Sequence, residues 1–357
     1  LNKDPEKKAI ARLLTEIGPS AYVLGNDNLY GLTQLKLVNL SVKHGNTSES
    51  AFAYTAYGTV LSEAFGDLKS QYEFGQLALK LNEKLNDVEY RCRVISAYGV
   101  LVFHFNNHWK ENTSWFEEGV KAGYLSADLF FWAYSASNCH VFDSDQTIAT
   151  RIEGQLKYLK ITKETGYRDA FQGAMINLQY TRCLAGLTDS PTSLDGDDFT
   201  EAHCMKIMQE LKFNSGFGFY NVHKAHLYYN EYMFKEAYEH VTEASKYLGS
   251  MTSLIQATNL QMLSGLICSG YILDGENPPN ELRKRLVQSI SKLSKWDKYN
   301  PVNFSHKFHL LKAELYSVDE KNKKATIHYR QAIAEANKNN WPVDEALANE
   351  LFGKYHY

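Results

Sequence analysis

One acidic stretch has the residue types and spacing that could bind a metal ion. It reads Asp195-Gly196-Asp197-Asp198, and Glu201 follows three residues later. Such carboxylates could form a calcium loop, or the Asp-Asp-x-x-acid motif with which an all-α lyase binds a metal diphosphate. The full calcium-loop spacing is missing, however, and no second acidic helix follows at the spacing that such a lyase needs. We therefore interpret the stretch as a loop and a helix start, with Asp198 and Glu201 as a capping box.

Two further sets of residues fall short of a complete site. His104 and His108 are four residues apart and could share one helix face, but the spacing fixes no third metal ligand. The five cysteines contain no CxxC pair, and we predict that most of them are buried thiols in a reducing cytoplasm. Phosphate-loop, kinase and GxSxG motifs do not occur in the sequence. The sequence therefore predicts no catalytic residue, no cofactor and no metal.

The charge and the hydropathy of the sequence argue against two classes of partner, nucleic acids and membranes. The net charge is -3, from 38 basic and 41 acidic residues, which argues against nucleic acid as a partner. Segment 251–273 carries no charged residue and is long enough to cross a bilayer. It contains Gln256, Asn259 and Gln261, however, and a helix of this kind is more often buried between other helices. We therefore predict no membrane span and a cytoplasmic location.

The elements that would position these residues are helices. Only 7 prolines occur, against 24 tyrosines and 18 phenylalanines, and apolar residues recur at steps of three and four. One helical hairpin reads Tyr54-x-x-Tyr57-Gly58 in its first helix and Ser70-x-x-x-Phe74 in its second. We expect Gly58 to let the two helix backbones approach closely, because it has no side chain.

Copies of this pattern recur along the chain. They are marked by Tyr98-Gly99, by Ala225-x-x-Tyr228 and by Ala313-x-x-Tyr316. Small and bulky residues at these positions are typical of tetratricopeptide units. We predict an all-α fold, a right-handed αα-superhelix (solenoid) of long, degenerate tetratricopeptide-like hairpins. It would be a single domain over residues 1–357 with about eight helix pairs, with the repeat register unassigned over 185–215, and a fragment of a longer chain.

The first helix of each pair should line the concave face of such a superhelix, where we expect a partner to bind. Counted from the small residue of that helix, the candidate contacts are Phe219, His226, Tyr229, Asn230, Lys307 and Glu314. These aromatic and polar side chains could bind an extended or helical peptide. Packing within the superhelix explains the same residues at least as well.

Four runs of residues carry a resemblance to a known kind of repeat region. They are LVNLSVKHGN at 37–46, SESAFAY at 48–54, NPVNFSHK at 300–307 and EALANEL at 345–351. These runs resemble the helical-repeat region of very large multidomain signalling proteins. The resemblance covers most of the chain and is densest at 29–81 and 300–355, whereas the middle, especially 185–215, departs from it. In that family a protein-kinase-like domain and an ATPase domain precede the repeats, and GAF and histidine-kinase modules commonly follow.

The resemblance implies a non-catalytic scaffold that couples the kinase, ATPase and sensor or output domains of a signalling protein. Its partners would then be flanking domains of the same polypeptide. An independent peptide-binding adaptor is the alternative, and an all-α metal-dependent lyase using the acids at 195–201 is a further one. The last helix should begin near Pro342, with Asp344 and Glu345 in its first turn. We expect the chain to stop there in the middle of a hairpin, although a terminal cap is also possible.

Overall fold

The chain folds into helices throughout. A computed structural model describes residues 1–143, 145–196, 198–275 and 278–356. Over these residues we count seventeen α-helices, with the helix that begins at Arg91 followed through a π-helical turn to Asn106. Extended pairing within the described residues is limited to one isolated bridge between Gly196 and Phe199. The predicted all-α class is confirmed.

The helices are numbered here in chain order. They are α1 (Pro5–Val23), α2 (Asp27–His44), α3 (Glu49–Phe65), α4 (Leu68–Leu85), α5 (Arg91–Tyr98, continued by Gly99–Phe103 and His104–Asn106), α6 (Asn112–Ser126), α7 (Leu129–Asn138), α8 (Ile148–Glu164), α9 (Arg168–Leu184), α10 (Glu201–Leu211), α11 (Asn214–Asn230), α12 (Phe234–Ser245), α13 (Ile255–Asp274), α14 (Leu282–Tyr299), α15 (Pro301–Val318), α16 (Asn322–Lys338) and α17 (Pro342–His356). Short 3₁₀ turns at Trp109–Glu111 and Leu248–Met251 lie between them.

Helix ends follow local sequence signals, with one correction. Gly66 ends α3 in the left-handed conformation, at a φ of 71° that glycine adopts without strain. The predicted capping box of Asp198 and Glu201 is wrong, because α10 begins at Glu201 itself. Thr200 caps this helix instead, and its hydroxyl accepts from the backbone N–H of His203 at 3.4 Å. Asp198 is exposed two residues before the cap.

Helices pack on their neighbours in sequence. Every helix from α1 to α17 contacts the next one along the chain. A second set of contacts joins each odd-numbered helix to the next odd-numbered helix, so that α1, α3, α5 and their successors up to α17 form one continuous layer. Nearly all residues that line the two cavities at the centre of the molecule belong to this layer and its connections. The predicted sequential packing of helices is therefore confirmed.

Distant parts of the chain meet across the middle of the molecule. The C-terminal carbonyls of α5 have no partner within their own helix. The amide of Asn300 donates to the carbonyl of Phe105 at 3.0 Å, and Asn303 donates to the carbonyl of His104 at 2.8 Å. Near the other end of the molecule, the phenol of Tyr22 donates to the carbonyl of Thr252. Hydrogen bonds from α15 thus satisfy the end of a helix that lies about two hundred residues earlier in the sequence.

Helix α13 corresponds to the uncharged segment 251–273, and it is buried as predicted. Thirteen of its twenty residues are buried between neighbouring helices. All five cysteines, including Cys268 in this helix, are free thiols and buried, which confirms the predicted burial. Across the described parts of the chain, no helix combines the length and the apolar composition that crossing a membrane requires.

The close contact between α3 and α4 depends on a glycine, Gly58, which has no side chain. A Cβ atom on Gly58 would meet the backbone carbonyl oxygen of Gln71 at 2.9 Å and its Cα at 3.0 Å. Because both are backbone atoms, relief of the clash would require the two helices to move apart. The expected role of Gly58 in close helix approach is consistent with this geometry.

The first prediction concerns this contact. Gly58→Ala should lower the free energy of unfolding by about 1–3 kcal/mol through overpacking, measured by urea unfolding and circular dichroism. Gly31→Ala in α2 is the matched control, since nothing lies within 4 Å of its Cβ position. That control should gain about 0.5–1 kcal/mol, as alanine favours a helix over glycine. Equal stability of Gly58→Ala and the control would contradict the prediction.

Candidate functional site in the central cavity

A cavity of about 240 Å³, called here the central cavity, lies between the odd-numbered helices from α9 to α17. The polar residues of its wall are Asp143, Arg151, Tyr180, His223, His226, Tyr229, Gln256, Asn259, Lys307 and Asp344. Three of the six predicted contacts, His226, Tyr229 and Lys307, are therefore brought together in one place. The central cavity is the candidate functional site of this chain.

A buried ion pair forms part of the wall. Lys307 is 4% exposed, and its ammonium donates to the carboxylate of Asp344. The ammonium also lies 4.6 Å from the ring centroid of Trp341 and 5.2 Å from that of Trp109. Two aromatic rings around a cation add an electrostatic attraction to the ion pair. The pair thus joins α15 to α17 and to the loop that follows α5.

His306 completes the environment of this ion pair. Its Nε2 lies 2.8 Å from the carboxylate of Asp344. Burial by itself raises the pKa of Asp344, but the Lys307 charge and the His306 hydrogen bond outweigh burial and hold that pKa well below its usual range. Burial, together with the Lys307 charge, lowers the pKa of His306 to about 4. At neutral pH the ion pair is therefore charged, the imidazole is neutral, and the group has no net charge.

A cluster of histidine and tyrosine residues lines another part of the wall. The ring of His223 stacks on Tyr180 with centroids 4.0 Å apart, and its Nε2 lies 2.9 Å from the amide oxygen of Asn177. Tyr180 also lies within hydrogen-bond distance of His226, at 2.6 Å from Oη to Nδ1. Burial lowers the pKa of His223 to about 3 and that of His226 to about 4. Both imidazoles are therefore neutral at physiological pH.

The other predicted contacts lie elsewhere. Phe219 lines a separate, largely aromatic cavity of about 130 Å³, called here the apolar cavity. Glu314 lines a third cavity, of about 630 Å³, which it shares with Tyr229. The carboxylate of Glu314 accepts from the phenol of Tyr329, and burial raises the pKa of Glu314. Asn230 is exposed at the end of α11. The six predicted residues thus do not line a single cavity.

Two carboxylates of the acidic stretch at 195–201, those of Asp195 and Glu201, make hydrogen bonds within the protein. Glu201 accepts from the backbone N–H of Leu194 at 2.6 Å and from Lys224 at 2.9 Å. The carboxylate of Asp195 accepts from the backbone N–H of Glu201. Asp197 lies outside the described residues. In the part of the chain that the structure describes, no group of three or more His, Cys, Asp and Glu residues could hold a metal ion.

The two histidines near the end of α5 do not face one another as a pair of ligands. His104 is fully buried, and neither of its ring nitrogens has a hydrogen-bond partner among the described residues. His108 lies beyond the helix end and stacks on Trp341 at 4.5 Å between centroids. Burial lowers the pKa of His104 to about 3. His104 is therefore a neutral core residue.

Several residues of the site were missed from the sequence. Asp344 was recognised as acid in the first turn of a helix, but its ion pair with Lys307 was not predicted. Trp109 and Trp341 enclose that pair from loops outside the repeat pattern, and Arg151 reaches the cavity from α8. The indole of Trp341 donates to the carbonyl of Val302 at 2.9 Å and so anchors the start of α17. In the sequence, the only sign of this anchor was a tryptophan directly before Pro342.

Part of the chain is similar to a signalling enzyme. The hybrid signal transduction histidine kinase G of Dictyostelium discoideum is 32% identical over 99 residues, which is 27% of this chain. The matched stretch spans 3% of the length of that kinase. No protein-family model matches the chain. The chain therefore has a distant, partial similarity to a signal transduction histidine kinase.

The second prediction concerns the buried ion pair. Asp344→Asn should lower the free energy of unfolding by about 3–5 kcal/mol, because it leaves the Lys307 charge buried without a counter-charge. The double change Lys307→Met with Asp344→Leu should regain most of that loss. The control is Arg283→Met, which breaks a pair whose arginine side chain is 55% exposed and should cost less than about 1 kcal/mol. Urea unfolding compares these three variants with the wild type, and a double variant that is no more stable than Asp344→Asn would contradict the prediction.

The third prediction concerns pH. The pKa of His104 is about 3 in the folded chain and near 6.5 in the unfolded chain. Between these pH values the unfolded chain binds a proton at His104 that the folded chain does not bind. Its contribution to stability is complete above pH 6.5 and falls by about 1.4 kcal/mol for each pH unit below that. His104→Phe should remove this loss, and it should also match or exceed wild-type stability at pH 7, because two unpartnered buried nitrogens disappear.

Unfolding curves at pH 7, 6 and 5 test this expectation. The stability advantage of His104→Phe should grow as the pH is lowered. His203→Phe, at an exposed position, controls for the loss of a histidine that is not buried. A constant difference between His104→Phe and wild type across the three pH values would contradict the prediction.

Proposed function

We propose that this chain is a non-catalytic scaffold, a right-handed tetratricopeptide-like superhelix that couples kinase, ATPase and sensor or output domains within one cytoplasmic signalling protein. The observation that carries the proposal is the continuous layer of odd-numbered helices. Each helix of that layer between α1 and α17 contacts an odd-numbered neighbour on both sides. A displacement at one end of such an array can pass to the next helix by direct contact.

The similarity to a signal transduction histidine kinase supports the signalling part of the proposal. The matched segment is a small part of a very long protein, as expected for a module that lies between other domains. The flanking domains of the same polypeptide are then the natural partners. Interfaces between domains of one chain are typically modest in area and more polar than those of obligate complexes.

The contacts of the ionisable residues support a non-catalytic role. Lys307 is paired with Asp344, and Glu201 is paired with Lys224, so that these buried charges serve packing. Burial raises the pKa of Cys92 and of Cys268 to about 12, which keeps both thiols protonated and unreactive. A catalytic site needs groups that can change their protonation state near neutral pH.

The fourth prediction tests the scaffold role. Residues 1–357 and the domains that flank them in their own polypeptide should be purified separately and mixed in a calorimeter. At least one flanking domain should bind with a stoichiometry of one to one, and adding the chain to an isolated kinase domain should change its rate of phosphorylation.

Two variants extend that experiment. Gly31→Ala is the control: nothing lies within 4 Å of its Cβ position, so it should keep the fold and bind like the wild type. The Asp344→Asn variant, which loosens α17 from α15, should change the coupling to the kinase rate more than it changes binding. Failure of every flanking domain to bind would contradict the scaffold role.

A further inference from the structure

Arg151 brings an uncompensated positive charge to the central cavity. One guanidinium nitrogen, Nη2, donates to the carbonyl of Val141 at 3.0 Å. The Nε atom is buried without a partner, and Nη1 makes no hydrogen bond within the described residues. Among those residues no carboxylate lies within the 4 Å of an ion pair with Arg151. Arg151 as a whole is half-buried, but its Nε atom is enclosed, and an enclosed polar nitrogen normally has a hydrogen-bond partner.

The other charged groups of the wall are already compensated. Lys307 is paired with Asp344. The carboxylate of Asp143 lies 2.8 Å from His140 and accepts from the hydroxyl of Thr113 at 2.7 Å. The hydrogen bond to Asp143 raises the pKa of His140, which makes this imidazole a partner of the carboxylate. Among the described residues of the wall, Arg151 is therefore the charged side chain that has no ion-pair partner.

Gln256 provides an independent sign that the cavity is built for a ligand. This residue is only 4% exposed, and its side-chain amide makes no hydrogen bond within the described parts of the chain. Its amide therefore lies where a ligand in either cavity could pair with it. Gln256 is also the second residue of α13, whose N-terminus has no side-chain cap. The uncapped end of a helix adds a partial positive charge.

The apolar cavity adjoins this polar end. Both cavities include Gln256 in their walls, and the hydrogen-bonded pair of Asn177 and His223 has one member in each. Aromatic side chains dominate the apolar cavity: Tyr22, Phe52, Phe130, Phe131, Phe213 and Phe219. An occupant of the two cavities would therefore have an apolar body and an anionic end. Val343, which is 65% exposed, lines the central cavity and marks its opening to solvent.

We propose that the central cavity binds a small organic carboxylate, with the anionic group at Arg151 and Gln256 and the apolar body in the neighbouring apolar cavity. The guanidinium would donate to the carboxylate, which is a pairing stronger than a neutral hydrogen bond. The amide of Gln256 would gain the partner that it lacks. Nothing in this proposal depends on the scaffold role, because it concerns only residues that line the two cavities.

The fifth prediction tests this ligand class. Butanoate, octanoate, phenylacetate and indole-3-acetate are titrated against the chain by calorimetry and by thermal shift, with octylammonium and octanol as matched probes. At least one carboxylate should bind one to one and raise the melting temperature. The ammonium and the alcohol of the same length should bind at least roughly tenfold more weakly, because they lack the negative charge.

Variants separate binding from stability. Arg151→Gln should weaken binding of the carboxylate about tenfold or more, whereas Arg151→Lys should keep part of it. Gln256→Leu should also weaken binding, yet leave the melting temperature unchanged or higher, since an unpartnered amide is replaced by an apolar side chain of similar size. Arg168→Gln, at an arginine whose side chain is 58% exposed, is the control and should bind like wild type.

Three results would each overturn the proposal. The first is that no carboxylate of the series binds to the wild-type chain. The second is that octylammonium binds as tightly as octanoate. The third is that Arg151→Gln and Gln256→Leu both remain folded and bind as well as the Arg168→Gln control. None of these results bears on binding to the flanking domains, so the two proposals fail separately.

Discussion

The odd-numbered helices between α1 and α17 pack against neighbours on both sides, and this packing determines the chemistry of the interior. A polar side chain that is buried in that layer cannot reach bulk water, so it must find a partner within the protein or leave a hydrogen bond unmade. Lys307 finds Asp344 and two indole rings, and Glu314 finds Tyr329. The same enclosure lowers the pKa of buried histidines such as His223. Charge in this layer is stabilised only where the packing provides its partner.

Contacts between distant helices fix the interior. At the end of α5 the amide of Asn300 satisfies the carbonyl of Phe105, and the carbonyl of His104 accepts from both Asn303 and the indole of Trp109. The same meeting point brings Trp109 against Trp341, with ring centroids 5.4 Å apart. Both indole rings also line the central cavity. A tightly held interior of this kind suits a module that transmits a displacement and also encloses a small molecule.

The two proposals use different parts of the same architecture. The scaffold role uses the outer surface and the continuity of the helix layer, whereas the ligand site uses the space that the layer encloses. Arg151 and Gln256 stand out because most other buried polar groups of the central cavity have partners. A ligand that completes them would stabilise the contact between α8, α11 and α13. Binding of a small molecule could then alter how firmly the array is held together.

The sequence by itself determined the helical class, the close approach at Gly58, the buried state of α13 and the burial of the cysteines. These properties depend on composition and on periodicity within one or two neighbouring helices, which are local. The capping box at Asp198 was wrong because Thr200 offered a cap nearer to the helix start. Only the tertiary structure decided that Lys307 meets Asp344 and Trp109, and that Arg151 reaches the cavity without a counter-charge. Such partners come from helices far apart in sequence, and their positions depend on the packing angles summed over many intervening hairpins.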